Sequence, residues 1–335
     1  MTKHIIPMSE DRWPQRFQKS IRHGDIPWQI ILIIMSVVVM VLMIAIGWML
    51  WQQSQHARTQ FGWSFIIPTS DANWDPVNNH FQSWPFIYGT LLTSIAAIVL
   101  AVPISLGIAI FLAELCPAWL RMPLNWLVEL LAAIPSVIYG LWGIFVFLPA
   151  VVTPVGDFIG NTIGKVPVLS ILFAGPIPQS GSSRLAAAMV LTIMIVPTIT
   201  AVTRDVLLSI PDNQREASQA LGSTKWESIW QVLLPYGLSG ILGAVILGLG
   251  RALGETMAVT MVIGNSIEGS LSLLKPGYTM ASIIANEFAE AVTPLHIEAL
   301  LEIGLTLFFI TLVLNIIARL LVWSVAQRTP QDARV

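Results

Sequence analysis

Six long apolar stretches are the feature that most constrains how this 335-residue chain can fold. They lie approximately at residues 28–51, 85–112, 124–151, 184–203, 236–263 and 299–322. A helix as long as the first stretch rises by about 1.5 Å per residue and covers the roughly 30 Å hydrocarbon core of a bilayer. Because lipid offers the backbone no hydrogen-bond partner, every stretch that crosses must be helical. The sequence therefore predicts an all-α polytopic membrane protein with six transmembrane helices.

The composition supports this prediction and excludes several other classes of protein. Hydrophobic residues make up 55% of the chain and charged residues only 11%, whereas a soluble domain carries roughly 25% charged residues. Cys116 is the only cysteine and the five histidines lie far apart, so we expect no disulfide and no metal site. No basic block interleaved with aromatic residues is present, and we expect no nucleic-acid partner.

One glycine-containing segment superficially resembles a nucleotide-binding loop. Residues 160–165 read GNTIGK, but only three residues separate the two glycines and Val166 stands where a P-loop has Ser or Thr. We therefore expect this chain to bind no nucleotide and no other cofactor, so that any ATP-driven process must draw on a separate polypeptide.

The distribution of Lys and Arg predicts the orientation in the membrane. With the N-terminus inside, the inner segments carry twelve of these residues and the outer segments four, while Arg251 remains within an apolar stretch. Positively charged loops tend to stay in the cytoplasm. Both termini are therefore predicted to be cytoplasmic.

This topology divides the chain into five parts. They are a cytoplasmic tail (1–27), a first transmembrane helix (28–51), an outer loop (52–84), a transmembrane core (85–325) and a second cytoplasmic tail (326–335). The core includes a cytoplasmic loop at residues 204–235.

The loop at residues 204–235 has the sequence pattern of two short helices. A capping box of the form S-x-x-D runs from Ser209 to Asp212, and a second of the form T-x-x-E runs from Thr224 to Glu227. In such a box the hydroxyl and the carboxylate each accept a hydrogen bond from a backbone N–H at the start of a helix. A helix is therefore predicted to begin at each box.

Two further residues predict where these short helices end. Gly222 is placed to adopt the left-handed conformation that terminates a helix, and the second helix is predicted to end before Pro235. A hairpin of two amphipathic helices occurs on many membrane proteins, so this pattern alone does not identify a function.

The same loop resembles the EAA loop of ABC importer permeases. That pattern is Glu-Ala-Ala, three residues, Gly, nine residues, Ile, any residue, then Leu-Pro. The matching positions are Glu216, Ala217, Gly222, Leu234 and Pro235. Ser218 replaces the second Ala and Val232 replaces Ile, both of which are mild departures. The resemblance implies a type I ABC importer permease fold with cytoplasmic coupling helices.

In such importers the EAA loop docks into a cleft of a separate ATPase subunit. The resemblance therefore implies that Glu216 makes a polar contact with the ATPase and that Ala217, Ala220 and Leu221 form the docking surface. Gly222 would form the corner of the hairpin. A short stiff helix can transmit a displacement that a flexible loop would lose to chain entropy.

Two charged residues lie within the fifth apolar stretch, where a charge costs roughly 2.5–3.5 kcal/mol on insertion scales. Arg251 and Glu255 are four residues apart, so on a continuous helix they would share one face and could pair. Gly240, Ala244 and Gly248 precede them on the same face and predict a close approach to another helix. Two interpretations remain open, a structural ion pair and a path on which the Arg251 guanidinium meets a passing oxyanion.

A second resemblance concerns most of the chain. The strings RALGETMAVTMVIGN (251–265), PGYTMASIIANEFAEA (276–291) and AAIPSVIYGLWG (132–143) resemble the C-subunit permeases of phosphate-specific (Pst) transport systems. The similarity extends over about residues 28–325. It implies a non-enzymatic permease of the bacterial cytoplasmic membrane that imports inorganic phosphate, with Arg251 and Glu255 on the substrate path and residues 52–84 in the periplasm.

This family implies four kinds of partner. They are a second homologous permease, two cytoplasmic ATPase subunits that bind ATP and Mg²⁺, a periplasmic phosphate-binding protein and the surrounding lipid. Import of another oxyanion, such as sulfate or molybdate, is the alternative. Glu287 and Glu290 lie on the predicted outer side, where they either contact the binding protein or form a solvated helix face.

Overall fold

The computed structural model describes residues 25–67, 74–167, 170–267 and 270–328. Most of the predicted tails 1–27 and 326–335 lies outside these described residues, and so do all five Lys and Arg residues of the N-terminal tail. The described part of the chain is helical and contains no β-strand, which confirms the all-α prediction.

Fourteen α-helices occur in the described residues. The first seven are α1 (Asp25–Gln53), α2 (Gln55–Phe61), α3 (Trp84–Ile110), α4 (Ala118–Ala133), α5 (Ser136–Trp142), α6 (Thr153–Thr162) and α7 (Ser170–Phe173). The remaining seven are α8 (Arg184–Leu208), α9 (Asp212–Ala220), α10 (Lys225–Ser228), α11 (Leu234–Gly254), α12 (Met257–Val262), α13 (Met280–Glu287) and α14 (Pro294–Arg328). Three π-helical segments extend α3, α5 and α10, at Phe111–Leu115, Gly143–Val152 and Ile229–Leu233.

Within the described residues, six helical segments are long and apolar enough to cross a membrane, which confirms the predicted number. In chain order these spans 1 to 6 are Trp28–Gln53, Trp84–Leu115, Ser136–Lys165, Arg184–Leu208, Lys225–Gly254 and Pro294–Ser324. All six contain the apolar side chains that a helix needs on its surface to be stable in lipid.

Span 1 belongs to a separate unit of the chain, Met1–Gln52, and the other five spans belong to the unit Gln53–Val335. Ser36 carries the only hydroxyl between Ile30 and Trp51. This hydroxyl donates a hydrogen bond to the carbonyl oxygen of Leu32 at 2.8 Å, within the same helix. The helix is thus apolar on every side, as expected for a segment surrounded by lipid or by other membrane helices.

The third predicted stretch, residues 124–151, is wrong as a single crossing helix. α4 ends at Ala133, and the backbone is extended at Ile134 and Pro135 before α5 begins. The ring of Pro135 disfavours the helical conformation for the residue before it, so the helix stops there. Span 3 therefore begins after this proline and continues to Lys165, beyond the predicted end of the stretch.

Span 4 lies at the centre of the bundle. In its most apolar window 67% of the residues are buried, against at most 33% in the corresponding windows of the other spans. Buried hydroxyls join it to span 2, because the Thr192 hydroxyl lies 3.3 Å from the carbonyl oxygen of Ala97 and the Ser105 hydroxyl lies 3.3 Å from that of Val196. These interhelical hydrogen bonds add to van der Waals packing, because in lipid no hydrophobic effect drives one helix against another.

Span 5 packs against span 4 through small residues, as the sequence predicts. A β-carbon at Gly240 would lie 2.6 Å from a methyl carbon of Val206, and one at Gly248 would lie 2.7 Å from Ile199. Ala244 lies between these glycines and is fully buried. The two helices can therefore approach closely only because these positions lack larger side chains.

We expect Gly240→Val to destabilise the purified chain by about 1–3 kcal/mol, the usual cost of overpacking. Val206 cannot readily move aside, since a valine in a helix has one strongly preferred rotamer. Gly243→Val is the matched control, because a β-carbon at Gly243 meets no atom within 4 Å. Thermal unfolding in detergent measures both variants, and equal unfolding temperatures would contradict this packing.

Candidate functional site

The hairpin consists of α9 and α10, at the junction of spans 4 and 5, and it confirms two predictions from the sequence. Thr224 and Glu227 form the predicted capping box, with the Thr224 hydroxyl accepting from the Glu227 N–H at 3.3 Å. The Glu227 carboxylate accepts in return from the Thr224 N–H at 2.8 Å. Gly222 has a φ of +92°, a conformation that favours glycine and turns the chain between α9 and α10.

The other predicted capping box is wrong. Ser209 lies at the C-terminal end of α8, where its hydroxyl donates to the carbonyl oxygen of Val206 at 2.7 Å. α9 begins only after Pro211, and no side chain caps its first turn. A serine hydroxyl readily bonds to the carbonyl of its own preceding turn, and this local bond replaces the expected cap.

The predicted helix end before Pro235 is also wrong. α10, the π-helical segment and α11 continue without interruption from Lys225 to Gly254. Pro235 lies in the first turn of α11, directly after the π-helical segment. This segment changes the hydrogen-bond register, so a residue without an N–H is accommodated.

The residues predicted to contact an ATPase lie mostly at the surface of the hairpin. Glu216 and Ala217 are exposed on α9, and Leu221 at its end is 90% exposed. Leu234 is partly buried beside an apolar cluster that includes Leu233, while Pro235 is exposed. The hairpin therefore presents a free face with both an acidic and an apolar side chain.

One residue of the hairpin that the sequence did not single out has several tertiary contacts. Arg215 contributed only to the charge count, yet its guanidinium bonds to Glu114 at 2.8 Å and to the backbone near the end of α8. No local sequence pattern predicts this contact, because Glu114 and Arg215 are 101 residues apart.

The predicted pairing of Arg251 with Glu255 is wrong. α11 ends at Gly254, and Glu255 has an extended backbone with φ −69° and ψ 123°. The two side chains are consequently not on successive turns of one helix, and no ion pair joins them in the described part of the chain. The Glu255 carboxylate instead accepts from the Ala258 N–H at 3.3 Å, in the first turn of α12. A carboxylate at this end of a helix is favoured by the helix dipole.

Arg251 lies where spans 3, 4 and 5 meet. Its Nη1 donates to the Thr198 hydroxyl of span 4 at 3.3 Å, and Tyr139 of span 3 is near enough for electrostatic interaction. Tyr139 is itself oriented by a 2.9 Å hydrogen bond to the carbonyl oxygen of Leu131. Among the side chains of the described residues, only Thr198 hydrogen-bonds to Arg251. Thr198 and Tyr139 were not predicted from the sequence.

The opposite end of the bundle carries a cleft of about 480 Å³ lined by Tyr278, Glu287 and Glu290 among others. Glu287 accepts hydrogen bonds from the Trp74 indole at 2.7 Å and interacts with the His296 ring at 2.9 Å. Its side chain is only 14% exposed, so Glu287 does not belong to a solvated face. Glu290 is exposed, and either predicted role remains open for it. Burial raises the pKa of the Tyr278 phenol.

Three relatives show what kind of protein has this sequence. Residues 105–329 match the family of binding-protein-dependent transport system inner membrane components. The chain is 46% identical over 280 residues to the phosphate transport system permease protein PstC of Xylella fastidiosa, covering 84% of each protein. It is 48% identical to PstC of Pasteurella multocida, covering 80% of this chain and 82% of the relative. PstC 2 of Mycobacterium tuberculosis is 43% identical over 69% of this chain and 70% of the relative.

Solved structures of ABC transporters share the fold. A chain of the inward-facing MetNI methionine ABC transporter has a TM-score of 0.51 at 20% identity, covering 71% of this chain and 93% of that one. A chain of a bacterial ABC transporter for alginate import has a TM-score of 0.57 at 15% identity, covering 94% of this chain and 100% of that one. These likenesses confirm the predicted ABC importer permease fold.

We expect Thr224→Ala to loosen the start of α10, because the loss of an N-cap hydroxyl costs about 1 kcal/mol. Amide hydrogen exchange of residues 225–233 in detergent should then be about fivefold faster. Ser223→Ala is the control, since its hydroxyl takes no part in the capping box. Equal exchange in both variants would show that the box does not hold this helix.

Proposed function

Because the chain belongs to the family of binding-protein-dependent transport system inner membrane components and, within it, to the PstC permeases, we propose that it imports phosphate. It would act as one permease subunit of an ATP-driven importer in the bacterial cytoplasmic membrane. The observation that carries this proposal is the 46% identity to a phosphate permease over 84% of both chains. The six spans and the importer fold agree with it.

Import of sulfate or molybdate is the alternative. An arginine within a bundle suits any tetrahedral oxyanion, because the guanidinium fork matches the spacing of two oxygens. The arrangement around Arg251 therefore supports an oxyanion but does not select phosphate. The relatives favour phosphate, since their names specify phosphate transport.

The substrate path is proposed to pass Arg251. This residue lies at the junction of three spans, with Thr198 holding one side of its guanidinium. Glu255 is proposed to shape the path by stabilising the break between α11 and α12 through its bond to Ala258. The break matters because it leaves irregular backbone at membrane depth, which is tolerated where it is buried or lines a cavity.

The hairpin is proposed to be cytoplasmic and to dock on the ATPase. Its exposed face offers Glu216, Ala217 and Leu221, and Gly222 forms the corner. The proposed complex has a second homologous permease, two ATPase subunits that bind ATP and Mg²⁺, and a periplasmic phosphate-binding protein. This chain would then need no cofactor and would catalyse no reaction itself. Both termini would lie in the cytoplasm, and residues 52–84 in the periplasm.

We expect cells whose only phosphate importer contains Arg251→Lys to take up labelled phosphate about tenfold less efficiently. The fork of donors is lost, and a hydrogen bond to a charged group contributes about 1.5–3 kcal/mol. Initial uptake rates at several phosphate concentrations measure the effect. Arg319→Lys is the control, because Arg319 is exposed near the end of span 6.

The wild-type protein in the same assay tests the substrate. Uptake should persist in excess sulfate or molybdate, because the proposed pathway selects phosphate. Sulfate uptake without phosphate uptake would overturn the assignment, and normal phosphate uptake by Arg251→Lys would overturn the role of this side chain.

Labelling of single cysteines tests the orientation, because the native Cys116 is buried. A membrane-impermeant maleimide should label Glu290→Cys in intact cells that lack the partner ATPase. It should label Leu221→Cys only after the membrane is opened, since the hairpin is proposed to be cytoplasmic. The reverse pattern would invert the topology and contradict the importer assignment.

A further inference from the structure

The attachment of α9 to the rest of the chain rests on very little apolar packing. Ser218 is the only buried residue of this nine-residue helix. The nearby apolar cluster contains Leu207, Ile210 and Leu233, but no residue of α9 itself. Since burial of apolar surface is the usual way in which a helix is held, something else must position α9.

Arg215 provides that attachment on the side of α9 that faces the bundle. Its Nε and Nη2 donate to the same carboxylate oxygen of Glu114, at 3.1 and 2.8 Å. The side chains of Arg215 and Glu114 are only 17% and 15% exposed. In a pair this shielded from water, removal of one partner leaves an uncompensated charge, which costs far more than breaking an exposed pair. Because Glu114 lies in the last turn of span 2, this contact joins α9 to that span.

The same guanidinium also reaches span 4. Nη2 donates to the carbonyl oxygen of Leu207 at 2.7 Å, and Nη1 donates to that of Ile210 at 2.6 Å. The last carbonyl groups of a helix have no partner within the helix and carry the negative end of its dipole. A positive side chain at this point is therefore held by both the hydrogen bonds and the dipole.

A continuous series of contacts leads from the Arg215 guanidinium to the proposed substrate path. Span 4 carries Leu207 near its end and Thr198 further along the same helix, and Thr198 accepts a hydrogen bond from Arg251. A displacement of α9 would thus be transmitted to span 4 through Arg215, and from span 4 to Arg251. Coupling between distant sites passes through such hydrogen-bonded and packed elements when they move between discrete arrangements.

We propose that Arg215 is a positioning residue that fixes α9, the helix proposed to dock on the ATPase, to spans 2 and 4. We call this set of contacts the clamp. Through it, motion of the ATPase would move these spans. The proposal rests on the proposed function, because it assigns the clamp to an ATP-driven importer. Arg215 does not contact the ATPase or the phosphate in this role. Its removal should therefore uncouple ATP hydrolysis from transport, while the ATPase subunits and the transmembrane spans each stay intact.

The experiment compares three variants in the complete transporter, reconstituted in liposomes with its binding protein. Arg215→Met keeps an unbranched apolar side chain and removes the charge and the donors. Glu114→Gln weakens only the ion pair with Glu114 and leaves the bonds of Arg215 to Leu207, Ile210 and Asp212. Arg204→Met is the control, because Arg204 pairs with Asp205 and Glu129 and not with the hairpin. The measured quantity is phosphate transported per ATP hydrolysed.

We expect Arg215→Met to lower this ratio about fivefold or more, in the range of typical coupling energies. Glu114→Gln should lower it less, and Arg204→Met should keep the wild-type ratio. ATP hydrolysis and the amount of bound ATPase should stay near wild type in all three. A merely structural contact would change assembly or stability without changing the ratio.

Two results would overturn the clamp. One is a wild-type ratio in both Arg215→Met and Glu114→Gln. The other is loss of the ATPase subunits from the Arg215→Met complex together with a wild-type ratio in Glu114→Gln, which would indicate a role in assembly alone. The failure of the proposed function is distinguishable, since the wild-type transporter would then import no phosphate at all.

Discussion

A backbone surrounded by lipid must satisfy its hydrogen bonds within the protein, and this constraint shapes every part of the fold. It makes the described chain helical, and three of its prolines lie at breaks or π-helical segments. Pro135 separates α4 from α5, whereas Pro149 lies inside a π-helical segment and Pro235 follows one. Hydroxyls behave in the same way, since Thr192 and Ser105 bond to carbonyl groups within the bundle. Irregular backbone therefore occurs where the protein itself can compensate for it.

Two kinds of interaction stabilise the bundle. In its middle, small residues such as Gly240 and Gly248 allow span 5 to pack tightly against span 4. At its ends, polar contacts add to the apolar clusters, with Arg215 and Glu114 at the hairpin end and Glu287 bonded to Trp74 at the other.

The two predicted capping boxes show how far local patterns can be trusted. The box at Thr224 forms because Gly222 turns the chain two residues earlier and the Thr224 backbone is extended, as an N-cap requires. The box at Ser209 does not form, because the preceding helix extends to Leu208 and the serine bonds back to it. A capping box competes with every other local partner of its hydroxyl, and the length of the preceding helix decides the outcome.

Sequence patterns alone predict the all-α class, the six spans, the hairpin corner at Gly222 and the small-residue face of span 5. These features follow from hydrophobicity and local backbone preference, which each segment carries alone. That Arg251 contacts Thr198 and not Glu255, and that Arg215 contacts Glu114, could not be predicted from such patterns. These contacts depend on where a helix breaks and on how spans pack. Arg251 and Thr198 are 53 positions apart in the sequence, and Arg215 and Glu114 are 101 positions apart. Each pair comes into contact only when the bundle assembles.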